Sequence, residues 1–132
     1  MIFEPQKIFA YLTEKERVTG HHSPEGRTIR MLGRALNGWS VGDLNENDVA
    51  VLCDQAMADW LKARLKLSQW SERSLSQLLE QVAVEDLLTQ TEIARLRQIH
   101  ELRDKKTSAA RSVADVETAL LSCIEIVDKY WS

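Results

Sequence analysis

From Val113 to Tyr130 the residues Val113, Val116, Leu120, Cys123, Val127 and Tyr130 recur at steps of 3, 4, 3, 4 and 3. No strand carries that period, since strand side chains alternate every second residue, so the segment has to be a helix with a narrow apolar seam. A seam of this kind is stable only when another helix covers it. The cover is either the rest of the same chain or a second copy. Ser112-Val-Ala-Asp115 supplies the cap at its start.

The remaining helices follow from the same logic. Ile8, Phe9, Tyr11 and Leu12 predict a first helix over 4–17, with Pro5 near its first turn. Ser23 caps a second helix carrying Ile29, Leu32 and Leu36, which Asn37-Gly38 is expected to end. Residues 39–45 read as a loop with Trp39 and Val41 tucked beneath it. A long helix over 46–67 follows, starting after Asn45 or Asn47. Its stripe Val49, Leu52, Cys53, Ala56, Trp60, Ala63 and Leu67 is widened by Leu61 and Leu65, which makes it the central helix. Ser74-Leu-Ser-Gln77 and Thr89-Gln-Thr-Glu92 have capping-box spacing. The first opens a short helix with Leu75, Leu78, Leu79 and Val82; the second opens one with Ile93, Leu96 and Ile99 that reaches Lys106. In the connection over 83–90, Val84, Leu87 and Leu88 are expected to fold inward.

The predicted fold class is therefore all-α, an up-and-down helical bundle of five or six helices. In 132 residues this is one domain, with 1–40 as an N-terminal helical extension packed on a core over 44–131. Composition agrees: Ala, Leu, Glu, Lys, Arg, Gln and Met make up just over half of the chain, and 44% hydrophobic residues are too many for a disordered one. A formal charge of −3 gives no global attraction for nucleic acid or a membrane surface, which leaves local patches. The N-terminus has no signal-like region and no window approaches a membrane span, so the expected location is cytoplasmic. Cys53 and Cys123 have no ligand-like spacing and read as small core residues in a reducing compartment. No metal and no cofactor are expected: His21 and His22 have no further ligand at metal spacing, and nucleotide-loop, protease and esterase motifs are missing. Trp39, Trp60, Trp70 and Trp131 read as core and rim anchors.

One residue breaks the pattern. Leu96 and Ile99 are followed at the next helical step by Arg103, so a charge lies on the core stripe. It has to reach water, pair with an acid such as Asp104 or Asp115, or face a groove where an anion binds. Around it, over 92–111, Arg95, Arg97, Arg103, Lys105, Lys106 and Arg111 outnumber Glu92, Glu101 and Asp104. The turn Lys105-Lys-Thr-Ser-Ala-Ala-Arg111 suits phosphate, although cations at a helix end also suit the helix dipole.

The run Leu96-Arg-Gln-Ile-His-Glu-Leu-Arg-Asp-Lys-Lys-Thr-Ser108, a short turn and the capped helix from Ser112 resemble the C-terminal half of the HEPN superfamily. These are all-helical nucleotide-binding and RNase-like domains. The segment 44–65 is similar to that family's early amphipathic helix, so the likeness covers 44–131. It implies a homodimer, with an Arg that binds phosphate and a His four to six residues later that helps cleave RNA. With Arg103 as that Arg, the partner position falls on Ser108, Ala109 or Ala110, and none is His. Losing an imidazole removes the obvious general acid or base.

The resemblance thus implies a catalytically degenerate, dimeric binding or regulatory module, in a toxin-antitoxin or phage-defence setting. Arg103, Lys105, Lys106 and Arg111 would bind RNA or a nucleotide, and a protein partner is a further expectation. The alternative is a weak metal-independent RNase using Arg103, Asp104 and Ser108, with His100, one turn before Arg103, as a displaced substitute. A structural role is the commoner one for a lone helix His. A third reading is a helical protein-interaction domain unrelated to that family.

Overall fold

A computed structural model describes residues 4–20, 23–68, 70–104 and 113–130, leaving aside the side chains of 5, 19, 24, 25, 102–104 and 113. They form six helices: α1 (Pro5–Thr19), α2 (Pro24–Ser40), α3 (Glu46–Arg64), α4 (Leu75–Val84), α5 (Gln90–Asp104) and α6 (Val113–Lys129). There is no strand among the described residues. The chain is an all-α helical bundle. No described helix is long and apolar enough to cross a membrane.

The helices start where side chains can satisfy their first amides. Ser23 accepts from the Gly26 amide, and Asn45 and Asp48 close a capping box at the head of α3. Ser74 and Gln77 do the same for α4, and Thr89 and Glu92 for α5. The Ser112 cap lies outside the described residues.

Asn37-Gly38 does not stop α2, which continues to Ser40. Gly38 is buried because Leu44 lies on it: a Cβ there would come within 2.5 Å of Leu44 Cδ1 and Cγ. The glycine serves close approach, and the helix runs on so that half-buried Trp39 can donate its indole N–H to Glu117 on α6 at 3.2 Å. Val41, expected beneath a loop, is 61% exposed. At its far end α3 stops at Arg64, three residues short of expectation, where Lys66 takes a left-handed φ of 60°. Leu65 and Leu67 still pack against the core from the turn.

Central helix α3 touches α2, α4, α5 and α6. Its buried face, Val49, Ala50, Cys53, Ala56, Met57, Trp60 and Leu61, meets Ile29, Leu32, Ala35 and Leu36 of α2. The N-terminal segment therefore joins the core through α2, with α1 laid against α2 and tied to α6 by a Tyr11 hydroxyl that donates to Asp128. In the connection after α4, Leu88 is buried and Leu87 half-buried, but Val84 is 87% exposed because α4 extends through it and turns it outward.

From Val116 on, the α6 seam is spent within the chain; the Val113 side chain lies outside the described residues. Val116, Leu120, Cys123 and Val127 are buried and Tyr130 is half-buried, against α3, α5 and α2. Of its two readings the intramolecular one holds for these residues, which offer nothing to a second copy.

Candidate functional site

Position 103 lies in the last turn of α5, one helical step beyond buried Leu96 and Ile99. The backbone thus carries the arginine at the end of an otherwise apolar stripe. The side chains of Arg103 and Asp104, and residues Lys105, Lys106, Ser108 and Arg111, lie outside the described residues. Among the described residues, α5 and α6 border an open groove of about 270 Å³. Its walls are polar: Arg95, Gln98 and Glu101 from α5, and Asp115, Thr118 and Ser122 from α6. Arg95 reaches Glu125 at 3.4 Å across these helices, an exposed pair worth little to stability.

On the neighbouring face of α5, His100 is no isolated helix histidine. Its Nδ1 lies 2.9 Å from Asp54 Oδ1 on α3, and the two side chains are 23% and 3% exposed. An ionised carboxylate only accepts, so it fixes the proton on Nδ1 and orients the ring. Asp54 escaped the sequence reading, which followed the stripe through Cys53 and Ala56. The signal was present: Ala50, Met57 and Leu61, at i−4, i+3 and i+7 from Asp54, are all apolar, so a carboxylate stands on a second buried stripe. Such a charge needs a partner, and α5 supplies one.

The pair opens on a second groove, of about 330 Å³, between α3, α5 and the segment over 71–75. Met31, Ala58 and Leu75 form its apolar walls; Asp59, Lys62, Glu72 and Arg73 bring charge. The Arg73 guanidinium donates to the Gln81 side chain. Asp59 and Glu72 have no hydrogen-bond or ion-pair partner among the described residues.

Glu92 does more than cap. It is buried, and one carboxylate oxygen accepts from the Thr89 amide at 2.9 Å and the Tyr130 hydroxyl at 2.5 Å, while the other meets Lys129 Nζ at 2.8 Å. Burial pushes its pKa up, but the Lys129, Tyr130 and Thr89 bonds outweigh that and hold it down at about 2. Tyr130 in turn stands 6.0 Å from the Trp60 ring, and Arg64 lies over both rings. This cluster clamps the start of α5 to the ends of α3 and α6 and is structural.

Both cysteines are buried, and burial together with the neighbouring Cys53 raises the Cys123 thiol well above its ordinary range. Among the tryptophans, Trp60 is a core residue and Trp39 is half-buried, but Trp70 is 81% exposed on the turn before α4 and anchors nothing. Trp131, His21 and His22 lie outside the described residues. No family model, curated protein or solved structure matches the chain.

Proposed function

We propose that the chain is a catalytically degenerate HEPN-like domain acting as a homodimeric binding or regulatory module that takes RNA or a nucleotide at its basic turn. One observation carries this reading: a cation at position 103 closes an apolar helical stripe, a basic turn follows, and the positions for a partner imidazole are Ser108, Ala109 and Ala110. Arg103, Lys105, Lys106 and Arg111 would neutralise phosphate there. The polar groove between α5 and α6, the helices that precede and follow that turn in sequence, supports the reading. The setting the resemblance implies is toxin-antitoxin or phage defence. Since the α6 seam is consumed internally, two copies have to meet through other faces.

The Asp54–His100 pair favours a second reading, a weak metal-independent RNase. An imidazole one turn before position 103 is a candidate proton carrier, which would act with Arg103, Asp104 and Ser108. Incubating labelled RNA with the wild type and with Arg103→Ala separates the two. The binding-module reading expects intact RNA with both proteins. Cleavage by the wild type that disappears in Arg103→Ala would overturn it in favour of the nuclease.

A further inference from the structure

Two exposed features of the chain have apolar centres and rims of opposite charge. The first is an open groove of about 240 Å³ between α1 and α2, with a floor of Phe9, Leu12, Ile29 and the backbone of Gly33. Phe9 is 39% exposed, so part of that apolar floor still faces water. On the α2 rim stand Arg30 and Arg34, one helical turn apart and both exposed. Neither has a hydrogen-bond or ion-pair partner among the described residues. Glu16 on the α1 rim is the one acid lining the groove, which leaves an excess of positive charge.

The second feature is the end of α4. Val84 is 87% exposed, more than the other exposed large apolar side chains described. Ala83 and, one turn before Val84, Glu80 are exposed with it on α4, and Asp86 follows in the turn. The Glu80 and Asp86 carboxylates have no partner among the described residues. Glu85 accepts from the Gln81 amide at 3.2 Å, and Gln81 in turn accepts from Arg73, the cation on this side. The valine is thus an apolar knob flanked by acids. α4 packs on α3 and α5, whereas the groove belongs to α1 and α2, so within one chain the two stand apart.

We propose that the α4 knob of one copy seats in the α1–α2 groove of another, with Ala83 and Val84 on the apolar floor and Glu80 and Asp86 against Arg30 and Arg34. A second copy supplies what the groove requires, an apolar contact framed by carboxylates. The joint is head to tail, so it closes into a ring or adds further copies. A knob and groove of this size make a weak contact, smaller than a stable dimer interface. It rests on neither the nucleic-acid reading nor the two-fold pairing that the resemblance implies.

Sedimentation velocity of the whole chain from about 10 µM to about 1 mM covers the range of a weak contact. The average mass is expected to rise with concentration at low salt, and to rise less at high salt, because exposed charges are screened. Arg34→Glu, Glu80→Arg and Val84→Ser should each weaken association by about tenfold. All three positions are exposed, and circular dichroism checks that the variants keep their helices. Mixing Arg34→Glu with Glu80→Arg should restore association, since the intact α4 of the first then meets the intact groove of the second. A wild type that stays monomeric to the top of the range, or a mixture of folded variants that fails to recover, would overturn the proposal. A dimer indifferent to all three changes would overturn it too, while leaving the homodimer reading standing.

Discussion

Replacing Glu92 with Gln keeps the size of the side chain and one acceptor for the Thr89 amide, but removes the charge that Lys129 and Tyr130 meet at 2.8 and 2.5 Å. Folding lowers the Glu92 pKa from 4.5 to about 2, which at about 1.4 kcal/mol per unit corresponds to roughly 3 kcal/mol. Because Lys129 is 57% exposed and its attraction is screened, the expected loss in Glu92→Gln is smaller, about 1.5 kcal/mol. A carboxyl whose pKa is depressed by folding stabilises in full above its unfolded value and loses that contribution as pH falls through the folded one. The wild-type advantage should therefore be complete above about pH 4.5 and largely gone near pH 2. Urea unfolding of both proteins at about pH 7 and about pH 2.5 measures it. A gap under about 0.5 kcal/mol at neutral pH, or an equal gap at both pH values, would refute the reasoning.

Gly38→Ala should destabilise by about 1–2 kcal/mol although alanine favours helices, since its Cβ would meet Leu44 at 2.5 Å; thermal unfolding of this variant alone and with Leu44→Ala should show rescue in the double variant. Cys53 and Cys123 should both resist a water-soluble disulfide reagent in the folded protein and both react once it is unfolded in denaturant, because neither thiol reaches solvent. Val127→Asp should unfold the chain instead of dissociating a dimer, since Val127 is buried within one chain; circular dichroism read beside light scattering distinguishes a folded monomer from loss of helix.

Helix starts were legible because caps are local chemistry: Asn45, Ser74 and Thr89 act within three residues of themselves, and tertiary packing does not change their partners. Helix ends were less so. Asn37-Gly38 has the composition of a stop, yet Leu44 folding back onto Gly38 and Glu117, distant in sequence, hold α2 together past it. Val84 is apolar and so belongs by pattern to an inward connection, yet the extra turn of α4 swings it into solvent. At the site, the sequence pointed to Arg103 and to His100 but missed Asp54. A period search ranks apolar positions and passes over a carboxylate among them, whereas the cost of burying that charge demands a partner on another helix.

The central claim is that the basic turn around position 103 holds nucleic acid without cutting it. Fluorescence anisotropy of a labelled single-stranded RNA, titrated with the wild type and with Arg103→Ala across a range of salt, tests this most directly. The account predicts binding by the wild type that weakens as salt rises, as release of counterions from phosphate requires, a clear loss in Arg103→Ala, and RNA recovered intact. No binding by a folded wild type, or equal binding by both proteins, would contradict it.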